Sequence, residues 1–165
     1  MFIRSAQVSD LPQLLEIYNE AVRNTTATFD LEAQTLEQRR AWYSHYSERH
    51  PLLVAEHLNE VVGYSCLSRY RAKPAYDHTV ESSVYIGASH WGKGIGTALM
   101  QHLLQKASEL GHHVVVAGIT GGNDASVRLH ERLGFQYVGC FREVGFKFGA
   151  WQDVHFYQCF LPRPR

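Results

Sequence analysis

The hydrophobic pattern of the first third of the chain changes from strand to helix. Residues 2–7, FIRSAQ, have the pattern of a short strand, and residues 9–22 follow with apolar side chains at helical spacing. Thr35 and Gln38 have the spacing of a capping box, which predicts a second helix over residues 35–46.

After this second helix the apolar positions alternate with a period of two, which is typical of strands. Residues 51–58 and 60–70 flank Asn59 and predict a hairpin. Residues 79–87, TVESSVYIG, predict the next strand, and the segment 71–77 between them is predicted to be a loop.

The second half of the chain alternates helices with strands. A helix with one apolar stripe is predicted over residues 96–110, ending at Gly111. Residues 112–119 are almost entirely apolar, so we expect a strand that is buried on both faces. The remaining predicted elements are a short helix in 123–135 and strands in 137–149 and 153–161.

This order of elements, β α α β β β α β α β β, predicts an α/β (α+β) fold. Its mixed sheet has antiparallel arms and a parallel centre, with helices packed against it. A chain of 165 residues with 45% hydrophobic and 19% charged residues has the size and composition of one globular domain, residues 1–165.

The segment His90–Gly96, HWGKGIG, holds three glycines between a predicted strand and a predicted helix. Glycine permits sharp turns and close approach of the backbone, and a helix start presents unpaired N–H groups, so the pattern suits a bound phosphate. A dinucleotide-binding fold would place its glycine turn after the first strand, and a Walker loop would read G-x-x-x-x-G-K-[ST]. Neither pattern is present, and a glycine turn without a ligand is the structural alternative.

Charge and composition limit the classes of partner that the protein can be expected to bind. Lys+Arg and Asp+Glu are equal at 16 each, which disfavours nucleic acid and anionic membranes as partners. No apolar run approaches the ~20 residues of a membrane span, and we expect no secretory signal. Ten histidines occur without H-E-x-x-H or C-x-x-C spacing, so no metal site is predicted.

The cysteine pattern favours a reducing compartment. The three cysteines, Cys66, Cys140 and Cys159, are odd in number and widely spaced. This spacing is typical of reduced packing residues, which indicates a cytoplasmic protein.

Glu81 is the candidate acid–base residue. The period of two places Thr79, Glu81, Ser83 and Tyr85 on one face of the predicted strand. An amine is protonated at neutral pH and must lose that proton before it can attack, which a positioned carboxylate can achieve. A solvated charge on an exposed strand face is the alternative.

The segments SSVYI, WGKGIG, VVVAGI and NDASVRLHERLGF resemble, in order and spacing, the GNAT superfamily of acetyl-CoA-dependent N-acetyltransferases. More narrowly, AYDHTVESSVYI, NDASVRLHERLGF and VGFKFGAWQDV resemble the phosphinothricin/methionine sulfoximine acetyltransferase branch. The likeness extends from about residue 2 to 162 and implies a mostly antiparallel central sheet flanked by helices.

The resemblance implies that acetyl-CoA is the co-substrate, with its pyrophosphate on the glycine loop and its pantetheine along the preceding strand. The implied contacts are Val84, Tyr85, Ile86, Gly92, Lys93, Gly94, Ile95, Gly96, Thr97 and Asn123. Asn123 is explained equally well as a helix cap. Trp91 departs from the family, which has Gln or Arg at this position, so no side-chain contact is implied there.

The resemblance also implies direct attack of the amine on the thioester, with Glu81 receiving the proton and His130 returning one to the CoA thiolate. A histidine on a short amphipathic helix is also common as a packing or surface residue. The rival to an enzyme is a binding module that keeps the fold and the CoA pocket without turnover. The retention of Glu81 and His130 favours the enzyme.

The basic loop ahead of Glu81 indicates the substrate class. Arg71, Ala72 and Lys73 lie in the segment that contacts the substrate in the resembling branch, and cations there suit a carboxylate beside the amine. We expect acetylation of the α-amino group of a small amino acid such as phosphinothricin, methionine sulfoximine or methionine sulfone. A basic loop that is merely solvated is the structural alternative. The alternative substrates are amines without a carboxylate, such as a polyamine, an aminoglycoside or a protein N-terminus.

The carboxyl-terminal strands are rich in aromatic residues, among them Phe141, Phe146, Phe148 and Trp151. This is more aromatic surface than the outer sheet of a small monomer usually needs. Together with the branch resemblance, it implies a homodimer.

Overall fold

The computed structural model describes residues 1–163 and contains a seven-stranded sheet with helices on both faces. The strands and helices are β1 Phe2–Ser5, α1 Leu11–Asn24, α2 Leu36–Tyr43, β2 Leu52–His57, β3 Glu60–Arg69, β4 Thr79–Ile86, α3 Ile95–Glu109, β5 Val114–Thr120, α4 Asp124–Arg132, β6 Gln136–Lys147 and β7 Ala150–Phe160.

The strands lie in the order β1-β2-β3-β4-β5-β7-β6. Every neighbouring pair is antiparallel except β4 and β5, which are parallel. The predicted order of elements and the mixed sheet with a parallel centre are therefore confirmed.

The capping box at the start of α2 is present as predicted. The Gln38 N–H donates to Thr35 Oγ1 at 3.2 Å, and the Thr35 N–H donates to Gln38 Oε1 at 2.9 Å. The helix ends at Tyr43, earlier than the predicted residue 46, because its last turn tightens. The N–H of His45 bonds the carbonyl of Trp42, and the N–H of Tyr46 bonds that of Tyr43, each three residues back.

Two apolar clusters hold the helices on the sheet. On one face α3 and α4 pack on the sheet around fully buried Leu99, Met100 and Leu103. On the other face α1 and α2 pack around Leu14 and Val54. Each helix pair thus covers its own face of the sheet. A ligand that lies between two strands can therefore contact residues from both faces.

The expectation that residues 112–119 are a strand buried on both faces is wrong. The strand begins at Val114. Its face toward α3 and α4 is buried through Val115, Ala117 and Ile119, whereas its other face is buried only in part, at Thr120. On the other face Gly118 is exposed, because the cluster formed by α1 and α2 contains no residue of β5. The last strand also begins earlier than predicted, at Ala150.

A short segment between α1 and α2 connects three strands, and we call residues 26–28 the bridging segment. Its three consecutive carbonyls accept hydrogen bonds, in order, from Thr120 Oγ1 at 2.7 Å, the Tyr85 hydroxyl at 3.4 Å and Lys147 Nζ at 2.8 Å. Tyr85 lies on β4, Thr120 on β5 and Lys147 on β6. The bridging segment therefore links β4, β5 and β6 through side-chain hydrogen bonds.

Candidate active site

The strands β4 and β5 separate part-way along their length. Their pairing covers only Thr79–Glu81 against Val114–Val116, although β4 continues to Ile86 and β5 to Thr120. Beyond Glu81 the two parallel strands diverge and leave a wedge-shaped opening in the middle of the sheet. Glu81 lies at the narrow end of this opening, and the glycine loop follows β4 at the wide end.

The side chains of β4 alternate between the two faces as predicted. Val84 and Ile86 pack on the cluster beneath α3 and α4, whereas Tyr85 packs on the cluster beneath α1 and α2. Glu81 and Ser83 share the face of Tyr85 because side chains of a strand alternate. Groups that approach from opposite sides of the sheet can therefore meet at the opening.

The glycine loop has the backbone conformation that its sequence predicts. Gly94 is the N-cap of α3 with φ 79° and ψ 6°, and Gly92 has φ 73°, both in the left-handed region. A Cβ at either position would meet no atom within 4 Å, so the space beside them is open. Gly96 is different, because a Cβ there would lie 3.0 Å from Leu129 Cδ1 between the two helices.

Trp91 folds back on the end of β4. Its Nε1–H donates to the carbonyl of Ile86 at 2.9 Å, while the side chain stays largely exposed. The carbonyl of Ile86 is thus already satisfied. The indole therefore stabilises the strand end from which the glycine loop begins.

Glu81 is a half-buried carboxylate. Burial raises its pKa, and the nearby positive charge of Arg71 partly opposes this shift. Among residues 1–163 no side chain or backbone N–H donates a hydrogen bond to it. A carboxylate that is desolvated and lacks donors takes up a proton more readily than an exposed one, which suits a general base.

His130 is buried on α4, with 4% of its surface exposed. Its ring lies edge-on to Phe135 at 4.9 Å between centroids, and Nδ1 is 2.7 Å from the carbonyl of Ser126. A carbonyl can only accept, so Nδ1 carries a proton. Burial lowers the pKa of His130, against an opposing effect of the Ser126 hydrogen bond, so the neutral ring with an unprotonated Nε2 is favoured at neutral pH.

Asn123 caps α4. Its Oδ1 accepts from the N–H of Ser126 at 3.2 Å, which is the capping alternative considered from the sequence. The side-chain oxygen is thereby committed to the helix, and only its amide N–H groups remain to contact a ligand.

The loop between β3 and β4 is exposed and basic. Arg71, Ala72 and Lys73 are all exposed, and Arg71 acts electrostatically on Glu81. Arg69 is used within the loop, since it donates to the carbonyl of Ala72 at 2.9 Å and pairs with Asp77 at 3.4 Å. The positive charge of Arg71 therefore favours the ionised form of the Glu81 carboxyl.

Residues 12–135 match the Acetyltransferase (GNAT) family. This chain belongs to the GNAT family. It is 44% identical over 99% of its length to the L-methionine sulfoximine/L-methionine sulfone acetyltransferase of Pseudomonas paraeruginosa, of which it covers 96%. It is 43% identical to the phosphinothricin N-acetyltransferase of Streptomyces coelicolor, with 94% of each chain covered.

A solved structure supports the same family assignment. A GNAT superfamily phosphinothricin acetyltransferase from Sinorhizobium meliloti in complex with acetyl-CoA has a TM-score of 0.92 and 34% identity, with 97% of this chain and 88% of that chain covered. The chain is an acetyl-CoA-dependent N-acetyltransferase, as the sequence resemblance implied.

The residues present fit acetyl-CoA. The N–H groups at the start of α3 have no side-chain cap, and the open space beside Gly92 and Gly94 adjoins them. The strand backbone of β4 that faces the opening leads directly into this loop, so one extended ligand can contact both. No group of three or more His, Cys, Asp or Glu residues in the described range is placed to hold a metal ion.

Other features of this GNAT chain lie outside the opening. A surface depression of about 400 Å³ is lined by residues just before β4 and β5 and just after β7, including His78, His112 and His113. None of residues 82–86 or 92–97 lines it. Within residues 1–163 no helix has both the length and the apolar character needed to cross a membrane.

Sequence reasoning did not single out several residues on the Glu81 face. Arg39 is 1% exposed, with its guanidinium 3.9 Å from the ring centroid of Tyr18 and 4.0 Å from that of Trp42. Tyr46 and Ser68 bring two hydroxyls together at 3.1 Å. The period of two along residues 60–70 places Ser68 on a defined face, but only the observed register shows that it lies opposite Glu81.

We predict that Gly94→Val weakens acetyl-CoA binding about 10-fold or more. A side chain in the left-handed region costs roughly 1–2 kcal/mol, and it would project into the open space at the start of α3. Isothermal titration with acetyl-CoA measures the effect.

Gly111→Val is the matched control, because Gly111 has φ 82° and equally open surroundings at the other end of α3. Both variants should lose similar thermal stability, whereas only Gly94→Val should lose affinity for acetyl-CoA. Equal dissociation constants for the two variants would contradict the phosphate site.

Proposed function

We propose that this GNAT enzyme acetylates the α-amino group of a small amino acid with a tetrahedral polar head, such as methionine sulfone, methionine sulfoximine or phosphinothricin. The observation that carries the proposal is the desolvated carboxylate of Glu81 at the opening in the sheet, bordered by the exposed cation of Arg71. The names of the relatives, two of which act on such amino acids, support the same substrate class.

Acetyl-CoA supplies a thioester carbonyl that an amine can attack. We assign its pyrophosphate to the backbone of residues 92–97, with Lys93 as a nearby positive charge. We assign the pantetheine and the acetyl group to the strand backbone at Val84, Tyr85 and Ile86, and a contact from α4 to the amide of Asn123. These assignments are supported by the divergence of the strands and the left-handed glycines.

On the opposite face Glu81 takes the proton of the substrate ammonium. The raised pKa of this carboxyl makes its oxygen a better proton acceptor, and the positive charge of Arg71 partly opposes the shift by favouring the carboxylate. Strand N–H groups facing the opening are suited to stabilise negative charge on the carbonyl oxygen.

We propose that His130 is the second proton-carrying group. Its Nδ1–H is held by Ser126, so a further proton would be held at Nε2. The attacking nitrogen loses a second proton once it is bonded to the carbonyl carbon, and Nε2 of the neutral ring accepts it. Because burial lowers the pKa of this histidine, the resulting imidazolium is a stronger acid than an exposed one and passes that proton readily to the departing thiolate. Packing against Phe135 is the role that His130 has regardless of this step.

The substrate carboxylate is assigned to the loop of Arg71, Ala72 and Lys73. An arginine can hold a carboxylate through two parallel N–H···O bonds, and a lysine adds a point charge. The same cations disfavour a polyamine or an aminoglycoside, for which an acidic entrance would be expected.

We also propose that the enzyme is a cytoplasmic homodimer. The three cysteines are free, which suits a reducing compartment. Exposed aromatic side chains cluster where β6 and β7 meet, with Phe146 4.9 Å from Trp151 between centroids and more than half of each side chain exposed. The molar mass from light scattering should be twice that of the chain at micromolar concentration. A molar mass equal to that of one chain would contradict the dimer.

We predict that Glu81→Gln lowers kcat by about 100-fold or more while leaving the affinity for acetyl-CoA unchanged. In the unmodified enzyme the rate should rise with pH as Glu81 and the amine lose their protons, and the Glu81 limb should be absent in the variant. Because the pKa of Glu81 is raised, this limb lies above the ordinary carboxyl range.

The control for this prediction is Glu60→Gln, an exposed glutamate at the start of β3. It should keep full activity. An unaltered kcat for Glu81→Gln between about pH 6 and pH 9 would mean that another group or bulk water is the base.

The substrate class is tested by comparing methionine sulfone with its decarboxylated amine. We expect the amino acid to react at least about 10-fold faster by kcat/KM, because only it engages the cations of the loop. Arg71→Ala should reduce this preference, chiefly through the KM for methionine sulfone. Equal rates for both compounds, unaffected by Arg71→Ala, would refute the amino-acid substrate.

A further inference from the structure

Ser68 lies directly opposite Glu81 across the strand pair β3–β4. Residues paired in this way share one face of the sheet, with Cβ atoms roughly 4.5–5.5 Å apart. The Ser68 hydroxyl is therefore next to the carboxylate that we assign as the base, on the face that receives the acceptor substrate.

The Ser68 hydroxyl is held from behind by Tyr46, which follows α2. The Tyr46 hydroxyl is 3.1 Å from Ser68 Oγ and 3.4 Å from Cys66 Sγ. Its ring lies edge-on to Trp42 at 4.8 Å between centroids, and Trp42 in turn lies edge-on to buried Tyr64 at 5.8 Å. This stack fixes the position of the hydroxyl that contacts Ser68.

Proton counting indicates which way the Ser68 hydroxyl points. A tyrosine hydroxyl has one proton, and when Tyr46 donates it to the sulfur of Cys66, Ser68 must donate its own proton to the oxygen of Tyr46. Burial raises the pKa of Cys66 to about 11 and that of Tyr46 above its ordinary value, so both groups stay neutral. The lone pairs of Ser68 Oγ are then available on the side of Glu81.

A substrate ammonium has only donors, three in number, and the carboxylate of Glu81 cannot satisfy all of them in one geometry. A second acceptor beside Glu81 would fix the nitrogen in the opening and leave one N–H directed at the base. Ser83, on the same face, is the cross-strand partner of Cys66 and lies further along the opening.

We propose that Ser68 Oγ is the second hydrogen-bond acceptor for the substrate ammonium, and that Tyr46 is the residue that positions it. Ser68 binds the acceptor amine and has no part in holding acetyl-CoA. This inference rests on the proposed role of Glu81 as the base for an amine substrate.

The test uses steady-state kinetics of the full chain with methionine sulfone and acetyl-CoA. Ser68→Ala should raise the KM for methionine sulfone about 10-fold, the effect of losing a hydrogen bond to a charged group, with the KM for acetyl-CoA unchanged. Ser68→Thr keeps a hydroxyl and should restore most of the affinity. Tyr46→Phe, which frees the Ser68 hydroxyl to rotate, should raise the same KM by a smaller factor.

Ser65→Ala is the matched control, because Ser65 lies on the same strand but faces the opposite side, where its hydroxyl contacts the carbonyl of Leu99 at 3.4 Å. It should leave the KM for methionine sulfone unchanged. If Ser68→Ala alters neither this KM nor kcat, or if Ser65→Ala has the same effect, the inference is overturned. Should Ser68→Ala fold poorly by thermal unfolding, Tyr46→Phe and Ser68→Thr decide in its place.

Glu81→Gln measured in parallel separates this inference from the function on which it rests. If the unmodified enzyme acetylates methionine sulfone and Glu81→Gln abolishes the activity, a neutral Ser68→Ala overturns only the assignment of Ser68. If the unmodified enzyme acetylates no amino acid, the proposed function fails, and the assignment of Ser68 fails with it.

Discussion

The separation of two parallel strands is the constraint on which the site depends. A strand that leaves its neighbour gives up ladder hydrogen bonds, and each buried backbone group left unpaired costs about 1–3 kcal/mol. The chain tolerates this because each strand is fully paired on its outer side. β4 pairs with β3 from Val80 to Ile86, and β5 pairs with β7 from Val114 to Thr120. The opening is therefore a rigid feature of the sheet, and its unpaired backbone groups are positioned to bind a ligand.

The two faces of the sheet have different physical characters. The side of α3 and α4 is an apolar core with a phosphate-type loop at its edge. The side of α1 and α2 instead holds aromatic rings around the buried guanidinium of Arg39, which among residues 1–163 makes no ion pair. Stacked rings can stabilise a cation without any carboxylate. The face of Glu81 thus carries the buried positive charge of Arg39 as well as the exposed Arg71, which suits the proposed amino-acid substrate better than a polycation.

Local sequence signals were sufficient for the order of the elements and for the conformation of the glycine loop. The capping box at Thr35 and the left-handed Gly94 are determined within a few residues, so they could be predicted from the sequence. The burial of β5 could not, because it depends on where α1 and α2 come to rest. Charged and polar residues such as Arg39 and Ser68 were missed because a helix face or a strand register gives them meaning only after tertiary packing. The strand divergence likewise involves two segments that are distant along the chain.

The bridging segment has a consequence for how the protein folds. Its three carbonyls accept hydrogen bonds from side chains 58, 94 and 119 residues away along the chain. Contacts of such high sequence separation form late, because the entropy of closing long loops must be lost before they contribute. During synthesis the segment leaves the ribosome early yet has to wait until Lys147 has emerged. The three hydrogen bonds of the bridging segment can therefore be complete only when almost the whole chain has been made.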